Sequence, residues 1–163
     1  RWLRIEWTIF WFTLIDEVLE FKAIERFNKS VVKLSSKSKN YDCLKSMLYF
    51  ELKGKGLTDE ELTNLGFPFT RNLNLSFSKL RIQGCGNTGK SSGFRLISFI
   101  NVKENCCYLL DIYPKIGPYN KSNMDSDERK ECLTELRFEK KSDILYDITF
   151  DDESIQITKQ VEV

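Results

Sequence analysis

Not one of the 163 residues is a histidine. That absence removes the usual general base, the Ser–His and Cys–His nucleophile pairs, and imidazole-built zinc sites. The five cysteines (Cys43, Cys85, Cys106, Cys107 and Cys132) are odd in number and include no CxxC pair. They read as neither a disulfide framework nor a zinc site, and no metal or cofactor is expected. Reduced thiols in a cytoplasmic protein are the expectation. Cys106 and Cys107 are adjacent, so on a strand they face opposite sides, one expected in the core and one at the surface. The apolar run 8–15 is far too short to span a bilayer. No small-residue cleavage site accompanies it, so neither a membrane span nor a signal peptide is expected.

Hydrophobic residues make up 41% of the chain and charged residues 30%, a globular balance for one domain with a real core. The net charge of +1 hides an asymmetry. Residues 79–121 carry seven bases against two acids, a net +5, and residues 122–163 carry six bases against twelve acids, a net −6. A basic middle with an acidic tail points to an anionic partner at the middle. Residues 1–15 are rich in Trp and Phe. They read as a fragment end, an added amphipathic segment, or translation upstream of a start at Val18 or Leu19.

No repeat or low-complexity linker is visible. Alternation predicts a first strand over 19–24. Apolar spacing predicts an antiparallel pair of helices over 25–36 and 41–52. Thr58-Asp59-Glu60-Glu61 is a capping box for a short third helix, and Pro68 closes that region. Strands follow over 73–82, 94–102 and 106–113, separated by a loop with four glycines (84–93) and a tight turn (103–105). A helix with acids in its first turn is predicted over 126–139. A terminal hairpin, 144–150 and 154–161, turns around Asp151-Asp152.

The segment 84–91 fits the Walker pattern GxxxxGK[ST]. A phosphate-binding loop must lie between a strand and a helix, whose N-terminal N–H groups cradle the anion. Here Gly93 follows almost at once, and residues 94–100 have strand character. Only about 14 residues separate Ser91 from Cys106, too few for a parallel crossover with its helix. A hairpin is therefore expected, and a nucleotide-binding protein is the least favoured alternative.

The chemistry-bearing residues are basic. Lys79 and Arg81 share a strand face, Arg95 opens the next strand, and Tyr113 and Lys115 close the third. With Lys90 in the glycine loop, these six are expected to converge on one concave patch. Such cations neutralise phosphates, and a tyrosine stacks on a base or moves a proton. Lys103 and Lys121, taken alone, read as solvating the sheet.

Four stretches resemble one family: Lys79-Leu80-Arg81; Gly89-Lys90-Ser91-Ser92-Gly93-Phe94-Arg95-Leu96-Ile97-Ser98-Phe99; Tyr108-Leu109-Leu110-Asp111-Ile112-Tyr113-Pro114-Lys115; and Asp125-Ser126-Asp127-Glu128-Arg129-Lys130. Together they are similar to the RelE/ParE toxin superfamily, nearest its HigB-type branch, over residues 73–137. The resemblance implies an α+β fold. It has an N-terminal strand, a helical hairpin, an antiparallel meander and a C-terminal helix, over residues 18–140, with an acidic extension and extra hairpin over 141–163. It implies a ribosome-associated mRNA endonuclease neutralised by a cognate antitoxin, with no membrane partner and no cofactor. Carried over by position, Lys79, Arg81 and Arg95 hold phosphates and developing charge. Lys115 and Tyr113 are candidates for proton transfer or stacking, and Lys90 and Lys121 contact RNA. With no histidine, the general base falls to a lysine of depressed pKa, a tyrosine or a carboxylate. A non-catalytic or decayed binder on the same fold is the alternative from another class.

Overall fold

A computed structural model describes residues 18–55, 67–72, 74–86 and 88–159. The aromatic segment before residue 18, the expected helix near Thr58 and the last four residues lie outside the described residues. The described elements run in the order β1 (Glu20–Ala23), α1 (Glu25–Lys37), a 3-10 turn (Lys39–Tyr41), α2 (Leu44–Leu52), β2 (Phe67–Arg71), β3 (Leu75–Ile82), β4 (Phe94–Asn101), β5 (Cys106–Pro114), α3 (Ser126–Lys141), β6 (Tyr146–Asp151) and β7 (Ser154–Lys159). The chain is therefore α+β. Its seven described strands form one sheet in the order β2-β3-β4-β5-β1-β6-β7. Only the β1–β5 pairing is parallel; the rest are antiparallel. Among the described residues, no helix is long and apolar enough to cross a membrane.

Both faces of the sheet are covered. Phe27, Val31 and Leu34 of α1 are spaced one helical turn apart and are buried. With Leu44, Leu48 and Leu52 of α2 they pack on Leu80, Ile82, Leu96 and Leu109. Val32, which flanks that stripe, is exposed. On the opposite face, Met124 and α3's Cys132 and Leu136 pack on Ile97, Tyr108, Leu110 and Tyr113. The Asp125 carboxylate caps α3 by accepting the Glu128 N–H at 2.8 Å. The two layers are tied at one end of the helices. Arg26 of α1 donates to Glu135 of α3 at 2.8 and 2.9 Å, and Glu139 accepts the Glu25 N–H at 2.8 Å.

Four expectations change. Pro68 does not close a region but sits inside β2, an edge strand whose pairing slips between Pro68 and Thr70. An edge strand tolerates a missing N–H at such an irregularity. Cys107 and Cys106 do face opposite sides, but both are buried, because a helical layer covers each face. The acidic tail forms the expected terminal hairpin and joins the main sheet, with its turn one residue later than expected: β6 pairs with β7 and with β1, and Ile148 and Ile155 enter the main core. Its hairpin turns on Asp152 and Glu153, both at positive φ (50° and 55°) as a two-residue turn of matching twist requires.

The fourth change concerns the thiols. Cys43 and Cys85 form a disulfide, Cα–Cα 5.6 Å, across 42 residues. Sequence spacing could not show it, since only the fold brings the start of α2 against the glycine loop. The other three cysteines are free and buried. Burial pushes the Cys106 thiol up to about 11 and Cys132 to about 12, and raises Cys107 as well. Thiolate is the reactive form. A thiol-reactive disulfide reagent at pH 8 is therefore expected to label none of the five cysteines in the native protein and three after unfolding without reductant. Five labelled cysteines after unfolding would rule out the Cys43–Cys85 bond.

Candidate nucleic-acid interface

The basic residues come together through the register of the meander. Arg81 on β3 pairs with Arg95 on β4, and Arg95 pairs with Tyr113 on β5. Lys79 lies two residues from Arg81 on the same face. The row is completed by a β-bulge. Ile97 pairs with Asp111 and Ser98 with Leu109, so Leu110 is the extra residue on β5. Before it, odd-numbered residues of β5 (Cys107, Leu109) face α1; after it, the odd-numbered Tyr113 joins the core beneath α3. Without the inserted residue, Tyr113 would point away from Arg95.

Around this row, exposure decides what each group can do. Arg81 is exposed, and Lys79 and Lys115 are half-buried. None of the three makes an ion pair with a carboxylate among the described residues. Burial lowers the Lys79 ammonium, and the charges of Arg95, Arg81 and Arg129 lower it further. Lys115 is lowered by slight burial, then by Arg95, Lys79 and Arg81. The cations therefore repel one another with no acid paired to them among the described residues, which is the electrostatic condition for holding an anion. Arg129, at the start of α3, belongs to this cluster and the sequence reading missed it. It lies 4.6 Å over the Phe69 ring and donates to the Met124 carbonyl at 3.0 Å. Its only sequence signal was a base in an acid-rich first turn.

Arg95 itself is not displayed. It is 4% exposed. Its Nη1 donates to the carbonyls of Lys90 (2.9 Å) and Phe94 (3.1 Å), and its Nη2 to that of Ser91 (3.2 Å). The guanidinium thus holds the glycine loop closed over it. Tyr113 is buried beside it; no hydrogen bond of good geometry to its hydroxyl is formed among the described residues. Burial raises its phenol, so it stays protonated and can donate but not act as a base. Lys115 and Lys121 lie 6.0 and 5.7 Å from its ring centroid.

Two predicted contacts are engaged by acids. Lys90 reaches toward Glu51 of α2 at 3.4 Å, on the other side of the sheet from Arg81. Lys121 is ion-paired with Glu128. Asp111, although on the same strand as Tyr113, is turned toward α1, accepting from Ser30 at 2.6 Å and from the Ile112 N–H at 2.8 Å. The Walker-like loop joins the antiparallel strands β3 and β4, and no helix follows it. It lacks the helix N-terminus that a phosphate-binding loop needs. Among the described residues, no three of His, Cys, Asp and Glu gather as metal ligands.

Compared with known proteins, the chain matches no family model, no curated protein and no solved structure.

Proposed function

We propose that this chain binds RNA on the Lys79–Arg81–Lys115 surface and cleaves it without a metal, as a cytoplasmic toxin of RelE/ParE type restrained by an antitoxin. The observation that carries the reading is the cation row across β3, β4 and β5, which no carboxylate among the described residues neutralises. The element order strand, two helices, meander, helix supports the same reading. In the reaction, an RNA 2′-hydroxyl attacks the adjacent phosphorus and the P–O5′ bond breaks; the 5′-oxygen takes up a proton from solvent, giving a cyclic phosphate and a 5′-hydroxyl. Arg81, Lys79 and, once uncovered, Arg95 stabilise the charge of the phosphorane. Lys115 or Lys79, each lowered toward its neutral form, is the group suited to take the hydroxyl proton.

The test is induced expression in bacteria of wild type and an Arg81→Ala/Lys115→Ala variant, following growth and mapping mRNA 5′ ends. Growth arrest with new cuts inside translated messages, both lost in the variant, is the expected result. A folded wild type that neither arrests growth nor cuts would move the reading to a non-catalytic binder.

A further inference from the structure

The arginine best placed between the two flanking cationic strands is the one that substrate cannot reach. Arg95 is 4% exposed and its guanidinium is engaged by three carbonyls, two of them from the glycine loop. What keeps that loop down is therefore what keeps Arg95 covered. Within the loop, the ties among the described residues are single hydrogen bonds. Gly84 N–H donates to Gly89 at 3.1 Å, Gly93 N–H donates to Lys90 at 3.3 Å, and the Thr88 hydroxyl donates to Cys85 at 3.1 Å. A cavity of about 380 Å³ bordered by Tyr41, Cys85, Ser92 and Phe94 lies against the loop, so close packing is confined to its base, where Gly93 meets Ile82 and Gly84. Among the described residues, the loop is tied to the helical layer by Cys85, bonded to Cys43 at the start of α2, and by an exposed Lys90–Glu51 pair.

We infer that the Cys43–Cys85 disulfide is a redox latch that holds the glycine loop closed over Arg95, and that its reduction by a dithiol uncovers the guanidinium. Both cysteines are half-buried, whereas the three free thiols are fully buried and do not compete in exchange. A thiolate of the dithiol attacks the Cys43 sulfur and the Cys43–Cys85 bond breaks. Cys85 leaves as a thiolate and takes up a proton. The Cys43 backbone N–H, 3.3 Å from the Cys85 sulfur, favours that leaving group. The reductant's second thiolate then displaces Cys43 as a thiol, and the reductant ends as its own disulfide. Two electrons pass from the dithiol to the pair. The consequence for RNA rests on the function proposed above; the movement of the loop does not.

The test compares the oxidised protein with the same protein in dithiothreitol, with far-UV circular dichroism to check the fold. Amide exchange over residues 88–93 is expected to speed up by about tenfold or more on reduction. Labelling of Arg95 by phenylglyoxal, read by mass spectrometry, is expected to rise by a similar factor, while the exposed Arg137 is labelled equally in both states. A Cys43→Ser/Cys85→Ser variant should match the reduced protein without any reductant. Affinity for a single-stranded RNA oligonucleotide should rise by about tenfold on reduction. Equal exchange and equal Arg95 labelling in the two states overturn the latch. So does loss of the folded spectrum on reduction, which would make the bond a structural staple. Increased labelling with equal RNA affinity overturns the control of the site. RNA binding absent in both states overturns the proposed function, while exchange and labelling still decide the latch.

Discussion

Replacing Gly93 with alanine is expected to destabilise the protein by about 3–5 kcal/mol, near the top of the range for single substitutions. A Cβ at this position would lie 1.9 Å from the Ile82 carbonyl oxygen and 2.6 Å from the Gly84 nitrogen. Both are backbone atoms, so no side-chain rotation relieves the overlap. The strands would have to separate where they bind most closely, since the Gly93 carbonyl also accepts the Lys115 N–H at 2.9 Å. Gly86 provides the control. It has φ +69° and nothing within 4 Å of its would-be Cβ, so alanine there meets only the left-handed backbone penalty of about 1–2 kcal/mol. Urea unfolding followed by circular dichroism measures both. Equal midpoints for the Gly93 and Gly86 variants would mean that β3 and β4 do not approach as closely as described. A large loss at Gly93 would tie the opening of β4, and so the position of Arg95, to the absence of a side chain.

The second large effect concerns the cation row. Lys79→Gln, Arg81→Gln and Lys115→Gln combined should weaken single-stranded RNA binding by on the order of 100-fold at low salt. The slope of log affinity against log salt should fall by about 2, since each phosphate contact to a single strand contributes about 0.7. The three side chains are exposed or half-buried and, among the described residues, form no ion pair with an acid, so the variant should fold normally. An unchanged salt slope in the folded variant would remove these residues from the RNA interface. The same row sets a pH dependence. The folded state holds Lys79 and Lys115 below the ordinary lysine range. Between those lowered values and the ordinary one, the folded protein binds fewer protons than the unfolded chain, so stability rises with pH across that window. RNA affinity falls in the same window as the charges are lost. NMR titration of side-chain-labelled lysine is the check: ordinary pKa values for both lysines would end the case for a lysine base.

Much of the fold was legible because it rests on local pattern. The partial alternation of β3, the apolar and aromatic run of β4, the turn-spaced Phe27, Val31 and Leu34 of α1, and the acid-rich start of α3 each specify an element without knowledge of its neighbours. The hairpin expected at the Walker-like letters is present, because Gly93 and the apolar run after it leave no room for a helix. That Lys79 and Arg81 share one strand face, and Tyr113 and Lys115 another, followed from counting two residues per side of a strand; bringing Tyr113 to Arg95 did not. Where β2 was missed, the local signal misled: proline is a strand breaker except at an edge, and whether a strand is an edge is not a local property.

What the chain's own order of residues specified, then, was which stretches are strand or helix and which cations share a strand face. The assembled sheet decided the rest. The bulge at Leu110 reverses the parity of β5 and so brings Tyr113 to Arg95. A helical layer on each face buries both Cys106 and Cys107. The approach of α2 to the glycine loop joins Cys43 to Cys85, and the fold of that loop turns Lys90 to Glu51 and covers Arg95 with carbonyls. Each of these depends on which strand lies beside which and with what register, and that is set by contacts between residues far apart in the chain, which no local spacing encodes.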